Sequence, residues 1–150
     1  MLRLGVKILL VFGLLLALQL EASPQERFLG KYKLANGMTV VVSEGDFEAR
    51  SIGSYTLRTY QAAQASEDTT FFVTGLVASR GGVIEKVLLA DVNHDLLEEV
   101  IVCIRSVGTG GYLDIHGYAV GDSVLESLIV LEGIESDADP LTVLVQALAK

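Results

Sequence analysis

Hydrophobic and polar residues are arranged along this chain in three ways: a solid apolar block at the start, short mixed runs broken by turn residues through the middle, and a helical stripe at the end. The middle is the most informative. Phe28 to Leu34, Met38 to Val42, Ser51 to Tyr60, Phe71 to Ser79, Val83 to Ala90, Glu99 to Ser106, Tyr112 to Val120 and Ser123 to Leu131 each read as a strand. Between them lie Asn36-Gly37, a loop over Ser43 to Phe47, a polar loop over Gln61 to Thr70, Arg80-Gly81-Gly82, Asp91-Val92-Asn93-His94-Asp95, Val107 to Gly111, and Gly121-Asp122. Asn-Gly is the dipeptide a type I′ hairpin turn prefers, because both central residues need positive φ. About eight short strands at this spacing predict a mainly β protein, an antiparallel β-sandwich or partly open barrel.

The end of the chain changes period. Asp139-Pro140 supplies an N-cap and a proline at the first helical position. Leu141, Leu144, Val145 and Leu148 follow at helical spacing, which predicts a short C-terminal helix packed on the sheet. At the other end, Arg3 and Lys7 precede an apolar run from Ile8 to Leu20, and Glu21-Ala22-Ser23-Pro24 gives a small-residue exit. That layout predicts a signal peptide over residues 1–22, cleaved after Ala22, and one domain over residues 23–150. The run is too short to span a bilayer comfortably, so no membrane association is expected after cleavage. No cysteine lies near the junction to carry a lipid.

Composition narrows the function. Residues 1–22 contain Arg3, Lys7 and Glu21, a net of +1 within a whole-chain charge of −8, so the exported domain carries −9. An acidic domain without interleaved basic and aromatic residues does not suit nucleic acid. It does suit electrostatic steering towards a basic partner. Cys103 is the one cysteine, so no intramolecular disulfide is possible. Its apolar surroundings, Val100 to Ile104, make it a small buried hydrophobe rather than a reactive thiol.

Catalytic patterns are missing from the sequence. His94 and His116 have no metal-pair spacing, no serine lies in a Gly-x-Ser-x-Gly elbow, and no carboxylate pair is singled out. No cofactor is implied. Asp91, Asn93, Asp95 and Glu99 are a weak candidate for a Ca²⁺ loop, since oxygen ligands alternate there. Leu96 stands where such loops need a glycine, which favours a polar turn whose side chains bond their own backbone.

The remaining candidate is Ser106-Val107-Gly108-Thr109-Gly110-Gly111-Tyr112. It reads either as a flexible hairpin connection or as a thin projecting probe tipped with the Thr109 and Tyr112 hydroxyls. Three stretches together bear on that choice: Ala49 to Tyr55, Gly82 to Val87 with the turn at Asp91, and Arg105 to Leu113. In that order, over roughly Leu34 to Val120, the chain resembles the periplasmic inhibitors of invertebrate-type (i-type) lysozyme, the PliI-like family. The resemblance implies a β-sandwich-like domain, often a homodimer, exported to the periplasm. It implies further that a Ser-Gly-Gly-Tyr loop blocks the lysozyme cleft. The matching positions are Thr109, Gly110, Gly111 and Tyr112, with Gly108 before them and with Arg105 and Ser106 as possible support. Thr109 departs from the pattern by adding a methyl at a tight spot. A different class of function, a carrier or adaptor for a small ligand or envelope protein, would instead need an apolar cavity between the sheets and a folded-in loop.

Overall fold

The computed structural model describes residues 26–150, so the expected signal peptide lies outside the described residues. The strands are β1 (Leu29–Lys33), β2 (Thr39–Glu44), β3 (Gly53–Tyr60), β4 (Phe72–Arg80), β5 (Val83–Ala90), β6 (Glu99–Arg105), β7 (Leu113–Val120) and β8 (Leu125–Ile134), followed by helix α1 (Pro140–Leu148). They form two four-stranded antiparallel sheets, ordered β1-β2-β3-β4 and β5-β6-β7-β8. Each sheet is a meander in which every strand pairs with its neighbour in sequence. Neither sheet closes on itself, so the sandwich expectation holds and the barrel alternative falls.

The sheets meet through alternating side chains. Val40, Val42, Tyr55 and Leu57 from one sheet pack with Val100, Val102, Ile104 and Tyr118 from the other. Tyr55 carries its hydroxyl into this core, where it lies 2.7 Å from His116 Nδ1 and 2.6 Å from the Tyr118 hydroxyl. His116 is therefore a satisfied core histidine. Burial holds its pKa below the ordinary histidine value, against the opposing pull of Asp114 and Glu132.

The second sheet is covered on both faces. Ile101, Cys103 and Ile115 point away from the first sheet and pack with Leu144, Leu141, Val145 and Leu148 of α1. This explains the unbroken apolar run of β6, because a strand buried on both sides has no polar face to alternate. Burying a leucine such as Leu144 contributes about 1.5–3 kcal/mol. Asp139 caps α1, its Oδ2 accepting the Thr142 N–H at 2.9 Å, with Pro140 in the first turn. Cys103 is buried and free, and burial pushes its thiol up to about 11.

Several boundaries move. β2 runs on through Ser43 and Glu44, which the hydrophobic pattern places in a loop, and β8 extends to Ile134. The turn after β1 is not type I′: of Asn36 and Gly37 only Gly37 has positive φ, at 85°. Gly37 N–H bonds Leu34 O at 2.9 Å and Leu34 N–H bonds Met38 O at 2.9 Å. That is a three-residue hairpin loop with a left-handed glycine closing it.

Candidate functional site

Antiparallel alternation brings four connections to one end of the sandwich: residues 45–52 after β2, Gly81-Gly82 after β4, residues 106–112 after β6, and the stretch between β8 and α1. The loop 106–112 projects there. Val107, Gly108, Thr109 and Gly110 are exposed, and Tyr112 is 46% exposed. Gly111 holds a left-handed φ of 56° and donates its N–H to Gly108 O at 3.2 Å, which makes the tip a tight turn. The Tyr112 ring lies against Gly110 so closely that a Cβ there would sit 2.2 Å from Tyr112 Cε2. The glycine is thus what lets the ring fold over the tip.

The stem is rigid. Ser106 N–H bonds Tyr112 O at 2.9 Å across the base of the loop. Arg105 grips Glu85 with two bonds, Nε to Oε2 at 2.5 Å and Nη2 to Oε1 at 3.0 Å. Its Nη1 donates to Gly111 O at 2.7 Å and to Ser136 O at 3.0 Å. Glu85 is available because the β5–β6 register slips between Ile84 and Lys86, a bulge that re-aims one side chain. The bond from Arg105 holds the Glu85 carboxyl below its ordinary value, against its partial desolvation. Arg105 thus ties the loop at Gly111 to β5 and to the stretch after β8. Ser106 contributes through its backbone N–H.

Beneath this end lies an ionic network that the residue pattern did not single out. Arg80, with a fully buried side chain, donates Nη1 to Arg50 O at 2.9 Å and to Gly82 O at 2.5 Å, Nη2 to Ala49 O at 3.1 Å, and Nε to Ser54 O at 3.1 Å. Its carboxylate neighbours are Glu44 at 3.9 Å and Glu48 at 3.7 Å. Glu44 accepts the Ile84 N–H at 2.8 Å, the Phe28 N–H at 3.2 Å and Arg50 Nη1 at 2.5 Å. Desolvation raises the Glu44 pKa, but these N–H donors and the two arginines outweigh it and the net shift is downward. Strand alternation could have revealed the pair. Val40, Val42 and Glu44 share one face of β2, and Leu76, Ala78 and Arg80 share one face of β4.

The Asp91 turn is at the opposite end. Asp91 Oδ1 and Oδ2 accept the N–H groups of Asp95 and Leu96 at 3.2 and 3.0 Å, Asn93 Oδ1 accepts that of Asp95 at 2.9 Å, and Asp95 Oδ1 accepts that of Leu97 at 2.8 Å. These side chains bond their own backbone, and among the described residues no group of three metal-binding side chains is assembled. Glu99 is buried, with Oε2 accepting the Val92 N–H at 2.9 Å. Burial raises its pKa, and Asp95 and Asp91 push the same way against the Val92 bond. An acid raised on folding costs stability when ionised; the cost is absent below its unfolded pKa and complete above its folded one. Glu99→Gln is therefore expected to melt at a higher temperature than the parent at neutral pH. The gap should close in acid, and a gap that stays constant with pH would contradict this.

The centre of the space between the sheets is packed by Val40, Val42, Tyr55, Leu57, Val100, Val102 and Ile104. A groove of about 320 Å³ opens between the sheets at the β4 and β8 edges, lined by Leu76 and Ala78 from one sheet and His116, Tyr118 and Val130 from the other. A packed core that carries a projecting, braced loop suits a β-sandwich that acts by presenting a surface to a macromolecule.

The comparisons with known proteins make that class specific. The chain belongs to the family of periplasmic inhibitors of I-type lysozyme, whose model matches residues 26–148. It acts by binding a lysozyme and catalyses no reaction of its own. The fold is similar to the crystal structure of PliI-Ah, the periplasmic inhibitor of I-type lysozyme from Aeromonas hydrophila, with a TM-score of 0.74 and 34% identity over 78% of this chain and 98% of that one. It is also similar to Aeromonas hydrophila PliI in complex with Meretrix lusoria lysozyme, with a TM-score of 0.73 and 34% identity over 78% of this chain and 94% of that one. Among curated proteins no match is found.

Proposed function

We propose that this protein inhibits i-type lysozyme in the periplasm by inserting Gly108 to Tyr112 into the active-site cleft. The observation that carries the reading is the braced loop: its tip is exposed while Arg105 and the Ser106–Tyr112 bond fix its stem. A pre-formed loop loses little conformational freedom on binding, so more of its contact energy appears as affinity. Lysozymes cleave their glycan between two carboxyl groups. The Thr109 and Tyr112 hydroxyls donate hydrogen bonds to those carboxyls, and Gly110 and Gly111 keep the probe thin enough to lie where sugar would. The acidic domain speeds encounter with a basic lysozyme at low salt.

Hydrogen bonds to a charged partner contribute about 1.5–3 kcal/mol each. Thr109→Ala and Tyr112→Phe should each weaken inhibition about ten- to a hundred-fold without moving the melting temperature. The test is a cell-wall lysis assay with the exported protein against i-type, chicken-type and goose-type lysozymes. Selective inhibition of the i-type enzyme, lost in a folded Thr109→Ala/Tyr112→Phe variant, is the expected result. Inhibition that survives the double substitution would assign the block to another surface.

A further inference from the structure

The loop over residues 45–52 sits at the same end of the sandwich as 106–112 and carries two large apolar side chains in water: Phe47 is 104% exposed and Ile52 is 67% exposed. Phe47 also has a positive φ of 61°, a conformation that a bulky residue rarely adopts without support. Here the support is evident. Arg80 donates to the carbonyls of Ala49 and Arg50, Arg27 donates to that of Glu48, and Glu48 accepts the Ser54 N–H at 2.6 Å and the Ser54 hydroxyl at 2.7 Å. The loop is thus pinned on both sides of an aromatic that touches nothing in its own domain. A solvated aromatic on a pinned, strained backbone suits the centre of a protein interface, since little backbone freedom remains to be lost on binding.

The two loops are mechanically joined. Arg80 also donates to Gly82 O, and Gly82 packs directly on the backbone of Arg105 and Ser106, where a Cβ would lie 2.1 Å from Arg105 O. One buried guanidinium therefore sets the 45–52 loop and the stem of 106–112 in one frame. We infer that Phe47, with Ile52 exposed on the same loop, is a second anchor on the same lysozyme, docking on an apolar patch at the lip of the cleft that the Thr109–Tyr112 loop enters. This rests on the proposed insertion of that loop, because the lip is the surface brought opposite residues 45–52 when the cleft is filled.

Titration calorimetry of the exported protein with a purified i-type lysozyme tests it. Phe47→Asn keeps a residue that accepts left-handed φ and removes the ring; Phe47→Leu keeps apolar bulk. Phe47→Asn should raise Kd by about ten-fold or more, the scale of losing an aromatic anchor, with most of the change in the dissociation rate. Phe47→Leu should recover part of it, and neither variant should melt below the parent. The loss should multiply with that of Thr109→Ala, as distant contacts do. If the parent binds tightly, Thr109→Ala weakens it and Phe47→Asn leaves Kd within about two-fold, the second anchor is refuted while the cleft insertion stands. If Phe47→Asn weakens binding and Phe47→Leu recovers nothing, the apolar contact is refuted. If the parent does not bind, both readings fall.

Discussion

Arg80→Met is expected to lower stability by about 3–5 kcal/mol, read as a shift in the chemical denaturation midpoint. The substitution fills the same space with apolar atoms but leaves the Glu44 carboxylate in a site where water cannot replace the lost guanidinium. The main-chain carbonyls of Ala49, Arg50 and Gly82 lose the Arg80 donor at the same time, as does Ser54 O, which keeps the Gly45 N–H at 3.0 Å. Arg50 remains beside Glu44 at 2.5 Å and limits the damage. The pH dependence gives a second readout. The Glu44 pKa is lowered by folding, so its contribution is present above the unfolded value and is lost as pH falls through the folded one. Removing Arg80 takes away part of that lowering, so the variant should lose less stability than the parent between neutral pH and acid. A cost below about 1 kcal/mol, with acid sensitivity unchanged, would mean that the network is dispensable.

Gly82→Ala is the second large effect, and it links stability to inhibition. The added methyl would lie 2.1 Å from Arg105 O and 2.6 Å from Arg105 C, both main-chain atoms with no rotamer to change. Either the β4–β5 corner or the base of the 106–112 loop must move. Overpacking of this kind costs about 1–3 kcal/mol, and displacing the Arg105–Ser106 backbone shifts the probe that Arg105 steadies. Gly82→Ala should therefore melt earlier and inhibit less well. Gly81→Ala provides the control, because its nearest new neighbour is Asp114 Oδ2 at 3.8 Å. Equal effects from the two substitutions would show that the corner responds to any side chain, and that contact with the loop stem is not the cause.

Much of this molecule is legible in its residue pattern. Alternation and turn residues place all eight strands, and Asp139-Pro140 with the leucine stripe places the helix. The run Val100 to Ile104 signals burial but does not say that α1 supplies the second cover, since that depends on how the tail returns across the sheet. The projecting loop is visible as a glycine cluster, and the resemblance of its residues to a known inhibitor family gives it meaning. The resemblance points to Arg105 as a brace, but the partner it grips is not visible. Glu85 meets Arg105 only because a bulge slips the register by one residue, and no local signal marks that slip. Glu44 and Arg80 escape notice for a different reason: each stands beside glycine, so each looks like part of a turn, although strand alternation puts both on the core face. Phe47 reads as an ordinary loop residue until its exposure and backbone angle are known.

The two-meander topology has a consequence for how the chain reaches this state. Every strand pairing joins sequence neighbours, so both sheets can form from short-range closures, and such closures are fast. A chain emerging amino end first has the whole β1–β4 sheet available before β5 exists. That sheet alone cannot finish its ionic network, because the Gly82 carbonyl and the Ile84 N–H that satisfy Arg80 and Glu44 come from the next segment. Until they arrive, two opposite charges sit at the rim of a half-built layer and keep it hydrated there. The arrival of the β5 backbone is then the step that dries the corner and locks the sheets together.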